Sequence, residues 1–191
     1  GLSTTQGMDL PSSVSPKERE MLQKLAGRVA ELAARPLEQE KARLWTAHTD
    51  LDNKRPLIFC DPENGWNEII AQDQIRCVSP LLRVWEMQLR KEIHWAEQFG
   101  DDKVIEPFFN VPYHYMDSGY GVEEKMVHGG EGGSFKYVHP ITDYEKQFHL
   151  LRHPEITVDH ARTQQTLELA RELFEGILEV RLRGIWWWTL G

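Results

Sequence analysis

Apolar positions recur every three or four residues in four long stretches, the spacing that places them on one face of an α-helix. The first stretch begins at Ser15-Pro16-Lys17-Glu18, a capping box with proline at the first helical position. The others begin at Pro36, at Ser79-Pro80 and near Asp159. The pattern therefore predicts four main helices, two of which precede every predicted strand, and one short helix between 142 and 151.

Three short runs are nearly continuously apolar, which is typical of strands buried on both faces of a parallel sheet. They are Arg55 to Cys60, Lys103 to Val111 and Ile177 to Leu182. Because predicted helices separate them, we expect these strands to pair in parallel through right-handed crossovers. The Gly-rich stretch from Gly119 to Gly133 predicts a short hairpin, with Ser134 to Val138 as one arm. The sequence thus predicts an α/β fold with N-terminal helices.

The composition is that of a globular protein, with 40% hydrophobic and 27% charged residues among 191. The net charge of -8 disfavours a nucleic-acid partner. No apolar run approaches the ~20 residues of a membrane span, and the chain has only two cysteines, so we expect a cytoplasmic protein with no membrane partner. Residues 1–14 are predicted to be a disordered tail or an expression remnant, which leaves 15–191 as one domain.

The most specific motifs occur after Val138. Pro140-Ile141-Thr142-Asp143 precedes the short helix, and the last predicted strand leads into Gly184-Ile185-Trp186-Trp187-Trp188-Thr189-Leu190-Gly191. These motifs resemble the uroporphyrinogen decarboxylase and corrinoid methyltransferase superfamily, in which a Pro-Ile-x-[Ser/Thr] segment and a helix lead to a strand that ends in a Gly-Gly-Pro-[Phe/Trp]-Thr-Leu-Ala turn. The resemblance covers residues 20–191 and implies a (β/α)8 TIM barrel.

A barrel of this kind needs eight strands and ~250 residues, whereas three strands are predicted here. We therefore expect the N-terminal part of a barrel, whose open edge is covered by a missing C-terminal half or by a second copy in a homo-oligomer. Three consecutive tryptophans, Trp186 to Trp188, lie three residues before the last residue of the sequence, Gly191. Large aromatic rings gain nothing from exposure to water, so they favour burial against such a partner.

The resemblance implies an enzyme for a small-molecule substrate, either a corrinoid or thiol methyltransferase or a decarboxylase. The decarboxylases carry arginines after the first strand for the carboxylates of the substrate, but this chain has Asp61-Pro62-Glu63-Asn64-Gly65 there. The acidic turn therefore favours methyl transfer. Zinc and a corrinoid serve the methyltransferases of the family, and their zinc ligands lie in a C-terminal half outside this sequence, so the cofactor is left open and no metal ligand is assigned.

The active sites of such barrels form at the C-terminal ends of the strands, and that rule selects the candidate residues. Asp61, Glu63 and Glu106 are the candidate catalytic carboxylates, suited to acid/base chemistry. We expect these three and Asn64 to share one cleft. The candidate substrate-binding residues follow the same predicted strands: Asn64, Trp66, Asn110, Tyr113, His114, Trp187 and Trp188.

Each assignment has an alternative. Residues 61–65 have the composition of an ordinary turn, and Glu106 could form a structural ion pair with Arg181 or Arg183 instead of lining a site. Trp with Asp, Glu and Asn at a barrel mouth is also typical of sugar sites, so a glycosidase-like or sugar-binding barrel is the second hypothesis. A non-catalytic half that pairs with another chain is the third.

Overall fold

The structure is a computed structural model that describes residues 8–52, 55–122, 125–129 and 135–184. The chain divides into two compact units. The first consists of Gly1–Tyr113 and Ala161–Gly191, and the second, His114–His160, interrupts it. In the part of the chain that the structure describes, no helix is long and apolar enough to cross a membrane.

Helices account for most of the first unit. The described residues form α1 Pro16–Ala33, α2 Pro36–Thr49, α3 Trp66–Ile69, α4 Pro80–Gln98, α5 Tyr144–Gln147 and α6 His160–Phe174, with short 3-10 turns at Glu63–Gly65, Gln72–Gln74 and Phe148–Leu150. The predicted capping box is present, because Ser15 Oγ accepts a hydrogen bond from Glu18 N at 3.3 Å and the Glu18 carboxylate accepts one from Ser15 N at 3.1 Å. The four main helices predicted from apolar periodicity are confirmed.

The strands are β1 Phe108–Pro112, β2 Tyr115–Asp117, β3 Lys125–His128, β4 Phe135–Val138, β5 Ile156–Val158 and β6 Glu179–Arg183. β1 pairs with β6 in parallel, and Asn110 lies opposite Arg181. The second unit holds two antiparallel pairs, β2 with β5 and the predicted hairpin β3 with β4. The α/β class is therefore confirmed, but the described residues form three two-stranded sheets and no closed barrel. The barrel stays a prediction.

The segment 55–60 does not form the first strand that the apolar run predicts. Its amides bond to acidic side chains instead: Asp102 Oδ2 accepts from Ile58 N and Asp101 Oδ2 accepts from Cys60 N, each at 2.9 Å. Ile58 and Phe59 are 63% and 41% exposed, so the run is not buried on both faces. Carboxylates satisfy donors that a strand ladder would use, and the predicted strand is wrong.

The second predicted strand begins later than expected, at Phe108 rather than Lys103. The residues before it are attached to α2, because Ile105 N donates to the buried carboxylate of Glu38 at 2.9 Å. Pro107, which cannot donate to a ladder, comes immediately before β1. Glu106 consequently lies before β1, at the N-terminal end of the sheet. Its predicted place near the C-terminal end of a strand is wrong.

The core of the first unit lies between the parallel sheet and the helices. The rings of Trp85, Phe109 and Phe174 meet there with centroids 4.3 to 5.9 Å apart. Full burial of such side chains stabilises a fold by ~1.5–3 kcal/mol each. Leu10 and Val14 also pack against this core, so the described end of the predicted N-terminal tail is attached to the domain.

Apolar side chains of the second unit are largely exposed. Met116 and Tyr144 are each 72% exposed, and Phe148 is 64% exposed. Among the described residues of this unit, His114 alone is buried. A segment of this size with one buried side chain contributes little hydrophobic stabilisation of its own.

Candidate functional site

Chemistry-bearing side chains surround one buried indole, which we call the indole cluster: Asp61, Trp66, Lys91 and His94. Trp66 is 1% exposed and donates from Nε1 to Asp61 Oδ1 at 2.8 Å. The ammonium of Lys91 lies 5.4 Å from the centroid of the Trp66 ring. The imidazole of His94 meets the same ring edge-on at 5.9 Å. A carboxylate, an amine and an imidazole therefore share one aromatic partner.

Local structure explains why these side chains meet. The residues after Asp61 form a turn, in which Glu63 N donates to Asp61 Oδ1 at 3.0 Å and Gly65 N donates to Pro62 O at 2.9 Å. This turn directs Trp66, the first residue of α3, into the core. Lys91 and His94 are three residues apart on α4 and so project from one helix face.

The electrostatics of the indole cluster depend on partial burial. Burial raises the pKa of the Asp61 carboxyl, but hydrogen bonds from the Glu63 amide and the Trp66 indole lower it, and the pKa lies below its ordinary value. Burial lowers the pKa of the Lys91 amine, against the opposite effects of Asp61 and Glu92. The carboxylate is thus held charged, whereas the amine is displaced toward its neutral form.

More aromatic rings continue from Trp66. Trp95 contacts it with centroids 4.8 Å apart, and Phe59 stacks on Trp95 at 5.4 Å. A second lysine, Lys103, lies 4.7 Å above Trp95, and it pairs with Glu92 at 2.5 Å. The irregular segment that contains Phe59 is therefore held by ring contacts with α4 and by the carboxylates of Asp101 and Asp102, which follow that helix.

A second group of polar side chains lies on one face of the parallel sheet, and we call it the sheet-face site: Glu106, Phe108, Asn110 and Arg181. Arg181 donates from Nε to Asn110 Oδ1 at 2.8 Å. Its guanidinium lies 3.7 Å above the centroid of the Phe108 ring. Arg181 Nη2 is 3.9 Å from Glu106 Oε2, a long contact between side chains that are 34% and 50% exposed.

Strand alternation separates this site from the core. Phe109 and Val111 project to the opposite face and are 1% and 0% exposed, with Phe109 against the rings of α4 and α6. The face that carries Asn110 and Arg181 is only partly buried. The parallel pair is consequently covered by helices on one face and polar on the other.

The predicted site residues occupy different places. Asp61 and Trp66 belong to the indole cluster, whereas Asn110 and Glu106 belong to the sheet-face site. Glu63 is exposed on its turn, which follows no strand, so its predicted place at a strand end is wrong. The contacts described for Asp61 and for Glu106 are with different residues, and their common cleft stays a prediction.

Five further residues were predicted to bind substrate. Tyr113 directly follows β1 and is 37% exposed, and His114 is buried as the first residue of the second unit. The side chain of Asn64 and the whole of Trp187 and Trp188 lie outside the described residues. The same rule that places sites after parallel strands therefore keeps Tyr113 and His114 as candidates.

The sequence did not point to Lys91, His94 or Phe108. It indicated Arg181 only as an ion-pair partner of Glu106, and the structure has that contact at 3.9 Å. Arg181 lies in the predicted strand Ile177 to Leu182 and Arg183 directly follows it, and this spacing of two was an available signal for a polar face. Lys91 and His94 have helical spacing, but their common neighbour Trp66 is distant in sequence, so only the folded chain identifies them.

Two other buried carboxylates are structural. Glu86 is 0% exposed and its Oε2 accepts from the amides of Arg76 and Cys77 at 2.8 Å each. Glu38 binds the Ile105 amide in the same way. Burial, reinforced by Glu86, raises the pKa of the Cys77 thiol to about 12. Cys77 is therefore held as a neutral, unreactive thiol, whereas Cys60 is exposed.

A cleft of about 320 Å³ lies along α2, lined by charged and apolar side chains that include Arg43, Asp52 and Arg55. Among the described residues, no three His, Cys, Asp or Glu side chains are grouped closely enough to hold a metal ion.

Comparison of the chain with protein-family models, with curated proteins and with solved structures finds no match.

Proposed function

We propose that this chain carries the N-terminal helices and one parallel β–α–β unit of a uroporphyrinogen decarboxylase-like barrel enzyme, and that its substrate is a small carboxylate bound at the sheet-face site. The single observation that supports this proposal most is the fixed guanidinium of Arg181. Asn110 orients it through Nε, and Phe108 supports its planar face. Arginine held in this way presents a rigid fork that suits a carboxylate.

The location of the acidic turn removes an argument against decarboxylation. That turn favoured methyl transfer only because it was expected beside the substrate at a strand end. It follows no strand in the structure, whereas the cation of Arg181 lies on the face of β1 and β6 that also carries Asn110. A decarboxylase-like reaction on a carboxylate substrate is therefore our first choice, and corrinoid or thiol methyl transfer is our second.

Glu106 suits the role of a replaceable partner for Arg181. The contact between them is 3.9 Å long and the Glu106 side chain is half exposed, so solvent screens it and it contributes little to stability. A substrate carboxylate that approaches Arg181 at hydrogen-bonding distance would replace Glu106 in this contact.

The hypothesis of a sugar site loses support, because Glu63 and Glu106 do not follow strands and form no carboxylate pair at a strand end.

The test is ligand binding by the 191-residue protein, measured by isothermal titration calorimetry. The probes are a tetracarboxylate porphyrin, methylcobalamin and a glucose trisaccharide. We expect the porphyrin to bind, and Arg181→Gln to weaken it by about tenfold to a hundredfold, since a hydrogen bond to a charged group contributes ~1.5–3 kcal/mol. Arg171→Gln, on the exposed surface of α6, is the matched control and should leave binding unchanged.

The outcomes separate the hypotheses. Binding of methylcobalamin without the porphyrin would favour methyl transfer, and binding of the trisaccharide alone would favour the sugar hypothesis. Porphyrin affinity that is equal in Arg181→Gln and in Arg171→Gln would remove the sheet-face site from the proposal.

A second candidate role, pairing with another chain, is favoured by the apolar side chains exposed on the second unit. Met116, Tyr144 and Phe148 are large apolar side chains that a partner would remove from water. The edges of β1 and β6 that face away from each other also have no strand among the described residues. Sedimentation velocity at micromolar concentration tests this role, and we expect a homo-oligomer. A monodisperse monomer over the whole concentration range would contradict it.

A further inference from the structure

Two lysines lie on the aromatic rings of this region, and they differ in whether a carboxylate pairs with them. Lys103 is 4.7 Å from the Trp95 centroid and also forms an ion pair with Glu92. Lys91 is 5.4 Å from the Trp66 centroid, but it forms no hydrogen bond or ion pair with any described residue. The nearest carboxylate of the indole cluster, Asp61, is engaged by the Trp66 indole and the Glu63 amide. Within the described part of the chain, a carboxylate therefore pairs with the amine of Lys103 but not with that of Lys91.

We propose that Lys91, with Asp61 and His94 beside it, is an amine site that forms an imine with a small aldehyde or ketone. This site lies away from Arg181 and does not depend on the function proposed for the sheet face. Lys91 is partly buried but still reachable, and His94 on the same helix face supplies a group able to donate and accept protons.

The chemistry needs no further reactant. The lone pair of Lys91 Nζ attacks the carbonyl carbon and forms a carbon–nitrogen bond, while the carbonyl oxygen takes up a proton. The resulting carbinolamine loses water to give the imine, so that amine and carbonyl yield imine and water. The carboxylate of Asp61 favours the protonated imine that develops, because it raises the stability of positive charge on Lys91 Nζ.

The surroundings favour this reaction at Lys91 over other lysines. Burial lowers the pKa of its amine, so a larger share is neutral and nucleophilic at neutral pH. The charged and titratable groups that face it are Asp61 on the turn and Glu92 and His94 on α4. Asp61 and Glu92 raise the pKa, and Glu92 is at the same time paired with Lys103.

The experiment traps the imine in the intact 191-residue protein. Benzaldehyde and sodium cyanoborohydride are added at neutral pH, and the reduced adduct on each lysine is quantified over time by peptide mass spectrometry. We expect the adduct on Lys91 to form several times faster than on Lys103 or on the surface residue Lys146, with a rate that saturates as benzaldehyde increases. Lys91→Arg keeps the cation on the ring and should abolish the dominant adduct.

Two variants distinguish a site from mere exposure. Lys103→Arg should leave the rate at Lys91 unchanged. Asp61→Asn should shift the pH profile of the rate at Lys91 to lower pH, because the carboxylate that raises the pKa of Lys91 is lost while an oxygen remains for the Trp66 indole. A rate at Lys91 no greater than at Lys146 would overturn the proposal. A rate that rises linearly with benzaldehyde, without saturation, would also overturn it, since it would show a reactive amine with no binding site.

Discussion

The carboxylate of Asp102 offers a direct test of how the segment 55–60 is held. It accepts two hydrogen bonds from the Arg55 guanidinium, at 2.5 and 2.8 Å, and one from Ile58 N at 2.9 Å. Asp102 is 8% exposed. These bonds, with Arg55 the largest cause, lower the pKa of Asp102 from 3.8 to about 2. The charged carboxylate is therefore a stabilising element of the folded state.

The size of that contribution follows from the pKa. The difference between the two values corresponds to ~2.5 kcal/mol at ~1.4 kcal/mol per unit. The side chain of Arg55 is 48% exposed, so solvent screens the interaction. We expect Asp102→Asn to lower the free energy of unfolding by about 1–2 kcal/mol at neutral pH. The side-chain oxygen of asparagine can still accept the hydrogen bond from Ile58 N. The negative charge that pairs with the Arg55 guanidinium is lost.

The sign of the pH dependence is also fixed. A carboxyl whose pKa is lower in the folded state stabilises above the ordinary value of ~3.9 and loses this contribution as the pH falls toward about 2. The unfolding free energies of the native protein and of Asp102→Asn should therefore differ by a constant amount from about pH 7 to 5 and converge below about pH 4.

Urea unfolding followed by tryptophan fluorescence measures both effects, because Trp45 Nε1 donates to Asp102 O at 2.7 Å. Asp73→Asn, at an exposed position, is the matched control and should change neither stability nor its pH dependence. Arg55→Gln completes a double-mutant cycle that isolates the pair. A difference between native protein and Asp102→Asn that stays constant down to about pH 2.5 would refute the reasoning.

Three further predictions address other residues. Glu86→Ala should destabilise the protein by about 2–5 kcal/mol in urea unfolding, because two backbone donors lose their acceptor; a loss below about 1 kcal/mol would mean that water replaces the carboxylate. Iodoacetamide at mildly alkaline pH should alkylate exposed Cys60 readily and Cys77 only after unfolding, because burial holds the pKa of Cys77 at about 12; equal rates by mass spectrometry would contradict this. Glu63→Gly should stabilise the protein or leave it unchanged, because Glu63 has a φ of 50°, which costs a non-glycine residue ~1 kcal/mol; a lower unfolding temperature would show that the exposed carboxylate stabilises the turn.

The structure also changes how the seven tryptophans of the chain are interpreted. Trp66, a candidate substrate-binding residue, and Trp85 are each 1% exposed and belong to the core. Trp66 nevertheless joins Asp61, Lys91 and His94 through contacts with its ring and its Nε1. A buried aromatic side chain can therefore organise a candidate site without contacting a ligand itself.

Local sequence signals determined the helices and the hairpin of this protein. The capping box at Ser15, the prolines at the starts of α2 and α4, and the apolar spacing in α6 are short-range features whose energetics do not depend on the rest of the fold. The parallel pairing of β1 with β6 also followed from local reasoning, because a helix precedes β6 and a hairpin connection is excluded.

Only the tertiary structure decided where the apolar and charged residues meet. The run at 55–60 has the composition of a buried strand, but Asp101 and Asp102, more than 40 residues away, capture its amides. Asn110 meets Arg181 because the strand register places them opposite each other, although 71 residues separate them. Sequence periodicity indicates which face of an element is apolar. Hydrogen-bond partners that are distant along the chain are instead selected by the packing of whole elements. Candidate sites consist of such distant partners, so only the folded chain identifies them.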